Sequence, residues 1–175
     1  MALAAFAAQG FRGAALADIA DEVGLSDAGL LHHFPSKEHL LLEVLRSHEN
    51  HQLEHADEVA RRGGGLRDVL LELARIHERD PAYIRLFTVV AAEAVDADHP
   101  AHEWFVERYD RTRDIFRDKV TQAQQDGAIR ADLDPDQIAR LLIAVLDGLE
   151  LQYLLTPTNA AISSPLATLL DTLAP

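Results

Sequence analysis

Asp27, Ala28 and Gly29 stand directly after Ser26, and that order of residue types can read the edges of DNA bases. Ser26 is a natural N-cap, because its hydroxyl accepts from one of the unpaired backbone N–H groups that open a helix. The three residues behind it then fill the first helical turn, the turn that meets base edges when such a helix enters a major groove. Asp27 can accept from a cytosine amino group, Ala28 can touch a thymine methyl, and Gly29 lets the backbone come close. One turn later His32 points outward as a donor to a phosphate or a base. Lys37, with the backbone N–H groups at the start of the next helix, suits a phosphate.

Those side chains need a scaffold, and Leu16 to Leu40 supplies it. Ile19, Ala20 and Val23 share one face of a short helix. Gly24 follows as the reversal point, where a residue without Cβ takes a left-handed backbone. Leu25 fills the gap, and a second short helix runs from Asp27 to Phe34, ending before Pro35. Leu30, His33 and Phe34 are expected to face inward. This spacing predicts a helix-turn-helix, which presents its second helix to DNA. A structural three-helix unit without DNA binding is the plainer alternative for the same residues.

A longer run then makes the assignment specific. Gly10-Phe11, Ile19-Ala20, Val23-Gly24-Leu25-Ser26, Leu30, His33-Phe34-Pro35-Ser36-Lys37-Glu38 and Leu40-Leu41 together resemble the DNA-binding domain of the TetR family of bacterial repressors. The stretch HHFPSKEHLL is the strongest part. The resemblance implies an all-α fold with an N-terminal three-helix domain at residues 1–46, its first helix shortened at the start. A helical ligand-binding and dimerisation domain follows at residues 47–175. It also implies backbone contacts at Ala15 and Leu31, where the family usually carries a serine or threonine and a tyrosine. Both positions have lost their hydroxyl here, and Asp27 adds repulsion. A high affinity for phosphate is therefore not expected.

The charge balance points the same way. The chain of 175 residues carries a formal charge of −13. Residues 1–46 hold three basic groups (Arg12, Lys37, Arg46) against six acidic ones, a balance of −3. Phosphate neutralisation supplies much of the affinity of ordinary DNA-binding domains, so the histidines at 32, 33 and 39 are expected to help. The absence of cysteine excludes disulfides and thiol chemistry. No run approaches the roughly 20 apolar residues of a membrane helix, and the apolar start lacks the basic leader of a signal peptide. A cytoplasmic protein that does not enter membranes is the expectation.

Behind the DNA-reading segment, periodicity predicts helices to the end, about nine in all, punctuated by Gly63-Gly64-Gly65, Asp80-Pro81, the 96–100 break, Gly127, Asp134-Pro135, Thr156-Pro157 and Ser164-Pro165. His77, Tyr83, Phe87, Trp104, Phe105 and Tyr109 are candidates for an effector cavity, since bundle pockets are mostly apolar with a few polar anchors; plain core positions are the alternative for each. Asp147, Gly148 and Glu150 interrupt an otherwise apolar helix, and a small glycine there suits close helix contact. By the resemblance, the last two helices pair with a second subunit through Leu142, Val145, Leu146, Leu149, Tyr153, Leu166, Leu169 and Leu170. The homodimer would then read a palindromic operator and answer a small-molecule effector of unknown identity.

Two other function classes have less support in the residues. His48, His51 and His55 recur at i, i+3 and i+7, a spacing that can chelate zinc or nickel and would suit a metal-responsive regulator, while a solvated polar face is the alternative. Enzyme chemistry finds no cysteine nucleophile, no Gly-rich phosphate loop and no Ser-His-Asp arrangement in a known motif. No catalytic residue, resident metal or cofactor is expected.

Overall fold

Capping residues set several of the helix ends. The computed structural model describes residues 2–156 and 161–175, and among these it contains nine helices and no strand. They are α1 (Ala2–Gly13), α2 (Leu16–Glu22), α3 (Asp27–His33), α4 (Lys37–Arg61), α5 (Leu66–Arg79), α6 (Pro81–Glu93), α7 (His102–Gln125), α8 (Pro135–Leu155) and α9 (Ser163–Thr172). The expected helix stop at Thr156-Pro157 falls partly outside the described residues, since Pro157 is not among them.

Gly24 closes α2 as its sequence position requires. Its φ is 72°, and the chain turns back so that the Leu25 amide donates to Ala20 O at 2.9 Å and the Gly24 amide to Asp21 O at 3.1 Å. Those two bonds satisfy carbonyls that the helix end would otherwise strand. Leu25 therefore serves through its backbone, and the residue keeps 39% of its surface exposed, so it does not fill the gap as a buried plug. The same pair of bonds ends α4 at Gly63 and α7 at Gly127. Asp134 caps α8, its carboxylate accepting from the Asp136 amide at 2.8 Å and the Gln137 amide at 3.3 Å, with Pro135 in the first turn.

The contacts group the chain into two compact units, Met1–His51 with Pro81–Val106, and Gln52–Asp80 with Glu107–Pro175. In the first, Phe6 of α1, Ile19 of α2, Leu41 and Leu45 of α4, and Ile84, Leu86 and Val90 of α6 are fully buried, and α1 lies against α6. In the second, Val69, Leu70 and Ala74 of α5, Val120 of α7, Leu142 of α8 and Leu166 of α9 form the core, with α5 against α9.

Candidate functional site

In the first unit, α2 and α3 form the expected helix-turn-helix. Ser26 Oγ accepts from the Gly29 amide at 3.1 Å and fixes the start of α3. A Cβ at Gly29 would come within 3.3 Å of that hydroxyl, so glycine suits the cap as well as a close backbone approach. Leu30 is buried and anchors α3, while Asp27, Ala28, Leu31 and His32 project into solvent and Gly29 is half-buried. Ala15 is exposed and caps α2 with no side-chain bond, as the missing hydroxyl predicts. His33 departs from expectation: α3 ends there, and its ring sits exposed, edge-on to His32 at 5.5 Å. Lys37 is half-buried, its Nζ 4.7 Å above the Phe11 ring and 3.5 Å from Arg12 O.

The aromatic candidates of this unit pack on one another. His48 stacks on Tyr83 at 4.7 Å, Tyr83 lies 6.2 Å from Phe87, Phe87 5.0 Å from Phe105, and Phe105 meets the edge of Trp104 at 4.9 Å. Tyr83, Phe87, Trp104 and Phe105 are buried, which gives them core positions.

The second unit holds His77 and Tyr109 and joins each to an acid of α8. His77 Nδ1 lies 2.6 Å from Glu150 Oε1, and both side chains are buried. On the other side of the ring, Gln52 Nε2 stands 2.7 Å from His77 Nε2. With the Gln52 amide donating, Nε2 accepts and Nδ1 carries the proton toward Glu150. Tyr109 donates its hydroxyl to Asp147 Oδ2 at 2.9 Å. Burial pushes the Asp147 carboxyl above its ordinary value, the Tyr109 hydroxyl pulls it back, and the charge of Glu150 pushes it up again. Burial and the charge of Asp147 raise the Tyr109 phenol in turn. Sequence reasoning named Asp147 and Glu150 only as interruptions of an apolar helix. Two acids one turn apart on such a helix were the available signal, because burial makes each need a donor.

Two hollows open among the described residues of this unit. Tyr109 and Asp147 line a shallow one of about 250 Å³ with Arg113, Arg140 and Ile143. A deeper cleft of about 570 Å³ has Leu66, Ala123, Ile129 and Leu170 on its wall and Lys119 and Asp171 among its polar lining, and none of the six expected ligand residues borders it.

The expected dimer residues divide. Leu142, Leu146, Leu166 and Leu170 are buried inside the unit, so they are core and not open to a partner. Val145, Leu149, Tyr153 and Leu169 are half-buried, and the Tyr153 hydroxyl donates to Glu78 O at 3.0 Å. The apolar side chains of α8 that face solvent are Leu141, Leu151 and Leu155, at 57%, 45% and 71% exposure, with Ala144 and Gly148 between them. Helical spacing explains the split: Ile138, Leu142 and Leu146 recur every four residues on the inner face, and Leu141, Ala144, Gly148, Leu151 and Leu155 recur on the outer one.

Among the described residues, no group of three His, Cys, Asp or Glu side chains is placed to hold a metal ion, and no helix is long and apolar enough to cross a membrane.

Residues 1–44 match the sequence profile of bacterial regulatory proteins of the tetR family, and residues 64–174 match that of the BetI-type transcriptional repressor C-terminal domain. The transcriptional repressor KstR2 of Mycobacterium tuberculosis is 27% identical over 146 residues, covering 81% of this chain and 72% of its own length. Among solved structures, Salmonella enterica GusR superposes with a TM-score of 0.75 at 28% identity, covering 98% of this chain and 92% of that one. A Saccharomonospora viridis protein solved in complex with choline gives 0.77 at 26%, covering 98% and 90%.

Proposed function

This chain belongs to the TetR family of bacterial regulatory proteins, and from that membership we propose a cytoplasmic homodimer that represses transcription from a palindromic operator until a small molecule releases it. It is a transcriptional regulator and not an enzyme. The observation that carries the proposal is the helix-turn-helix itself. The Gly24 closure and the Ser26 cap hold α3 with Asp27, Ala28, Leu31 and His32 facing solvent. We propose the boundary between the DNA-reading and effector domains at residue 46.

The outer stripe of α8 supports the dimer. Ala144 and Gly148 allow close approach, and Leu141, Leu151 and Leu155 supply apolar area. The ligand set we propose is His77 and Tyr109 together with Asp147 and Glu150. One buried and one half-buried carboxylate favour a ligand head group that donates hydrogen bonds or carries positive charge, and the relative holding choline supports that class. The effector acts by binding one of two conformations better than the other, and it shifts the population only by that difference.

The test is selection of duplexes from a randomised pool by the purified full chain. An inverted repeat bound with log affinity falling by several units per tenfold salt is expected, since each neutralised phosphate contributes about 0.9 to the slope. A slope near zero overturns DNA binding by this face. One observation favours a second reading, a dimeric ligand-binding protein with weak DNA affinity: residues 1–46 carry a balance of −3, and neither Ala15 nor Leu31 offers a phosphate donor. Choline raising the thermal midpoint of the full chain supports the head-group class, and no shift at millimolar choline removes it.

A further inference from the structure

α1 is broken one turn before its end, and the break is held from outside. Gly10 has φ 68° and ψ −179°, so the helical ladder is interrupted there. The Phe11 amide donates instead to Glu93 Oε2, at the end of α6, at 2.7 Å. A Cβ on Gly10 would strike the Glu93 carboxylate and strain the backbone besides, so both the conformation and the space call for glycine. This explains the Gly10-Phe11 pair in physical terms. Around it, Arg12 pairs with Asp96 at 2.9 Å, and the Phe11 ring meets His99 edge-on at 5.2 Å and Lys37, first residue of α4, at 4.7 Å.

A second donor waits beside the first. His99 Nδ1 accepts from the Ala101 amide at 3.2 Å, which leaves the ring proton on Nε2. That nitrogen is buried, has no hydrogen-bond partner among the described residues, and stands 3.7 Å from Glu93 Oε2. The distance exceeds a hydrogen bond, and a buried donor without a partner is costly. A movement of a few tenths of an ångström to about one ångström would give it Glu93.

We propose that Glu93 is a positioning residue for DNA binding, whose carboxylate holds the broken end of α1 through the Phe11 amide and can pass from that amide to His99 Nε2–H. While Phe11 is held, α1 keeps Phe11 under Lys37 at the start of α4, directly behind the reading helix. Once Glu93 turns to His99, that end of α1 is loose and the helix-turn-helix loses its brace. The proposal rests on the DNA-binding reading above.

The experiment uses the full chain as wild type, E93A, E93Q and H99N. Asparagine at 99 keeps an acceptor for the Ala101 amide and removes the group that reaches Glu93. Duplexes selected by wild type are titrated by fluorescence anisotropy, with thermal midpoints and exchange of the Phe11 amide read in parallel. E93A is expected to bind at least tenfold more weakly with faster Phe11 exchange, E93Q to recover to within threefold of wild type, and H99N to bind as tightly as wild type or up to a few-fold tighter. E93A binding within twofold of wild type, or E93Q falling as far as E93A, overturns the proposal. If E93A does not fold, E93Q and H99N decide: Phe11 exchange and affinity that move in the same order support it, and exchange that moves without affinity overturns it. Wild type that selects no duplex refutes the DNA-binding reading and the proposal with it; a binding wild type matched by E93A refutes the proposal alone.

Discussion

Glu78 takes both the backbone amide and the hydroxyl of Ser163 on one carboxylate oxygen, at 2.8 and 2.9 Å. The Ile162 amide reaches the same oxygen at 2.8 Å, and the Tyr153 hydroxyl donates to the Glu78 carbonyl at 3.0 Å. The last turn of α5 thus fixes the start of α9 and the end of α8 together. An anion at a helix N-terminus is favoured by the unpaired amides and by the helix dipole. Burial works to raise the Glu78 carboxyl, but the donors of Ser163 and Ile162 outweigh it and hold it below the ordinary value.

Removing that acceptor leaves two part-buried amides without a partner. Glu78→Ala is expected to cost about 1.5 to 3 kcal/mol of unfolding free energy, the range for a hydrogen bond to a charged group. Glu78→Gln keeps one acceptor and costs less. Because the folded-state value lies below the unfolded one, the carboxylate's contribution is complete above the ordinary glutamate pKa of about 4.3 and fades as pH falls through the folded value. Urea unfolding from pH 7 to pH 3 should show the gap between parent and Glu78→Gln closing toward acid. Equal stabilities of parent and Glu78→Ala at pH 7 would refute the anchor.

Asp147 titrates with the opposite sign. Its folded value is raised, by burial above all, so the proton is held more tightly in the folded state than in the unfolded. Its stabilising share is complete below the ordinary aspartate pKa of about 3.9 and is lost as pH rises through the raised value. Asp147→Asn keeps an oxygen for the Tyr109 hydroxyl and removes the half-buried charge. The variant should equal the parent near pH 4 and gain on it as pH climbs, reaching a plateau once Asp147 ionises. A gap that is constant across pH 4 to 8 would show that Asp147 keeps an ordinary pKa.

What was legible in the sequence was local. Gly24, Ser26 and Asp134 announce helix ends because their chemistry acts within five residues, and each does so in the structure. The acids that organise each unit act across distance. Glu93 meets an amide 82 positions away and Glu78 one 85 away, and no periodicity or cap pattern carries such pairings. On α8 the obstacle was different. Apolar residues cover both faces of that helix, so the pattern could not tell Leu142, which is core, from Leu141, which faces solvent. His33 failed for a third reason: it is the last residue of α3, where the expectation of an inward face presumed one more residue of helix.

The outer face of α8 predicts which substitutions separate subunits without unfolding them. Leu141→Arg and Gly148→Leu place a charge or bulk on the stripe while leaving the core untouched; nothing lies within 4 Å of a Cβ at Gly148 in one chain. Both are expected to halve the mass seen by light scattering at micromolar protein with the helical content unchanged. Leu142→Arg is the contrast, a charge in a fully buried position, and it should unfold the chain. Leu141→Arg retaining the parent's dimer mass would place the interface elsewhere.

Lys37 has two possible partners, and salt dependence separates them. Its Nζ rests 4.7 Å over the Phe11 ring, an arrangement that contributes about 0.5 to 1 kcal/mol at exposed sites. The first residue of α4 is also placed for a phosphate, in a region with only two other basic side chains, Arg12 and Arg46. If Lys37 neutralises a phosphate, Lys37→Gln removes one such contact from each subunit of the dimer, so it should weaken binding to every selected duplex alike and flatten the plot of log affinity against log salt by about 1.8. If it acts through Phe11 alone, affinity falls with the slope unchanged and the thermal midpoint falls with it. With so few cations in residues 1–46, the loss of one phosphate contact from each subunit would be a large fraction of the whole slope, so anisotropy titrations between 50 and 200 mM salt (about the range where such slopes are read) distinguish the two outcomes directly.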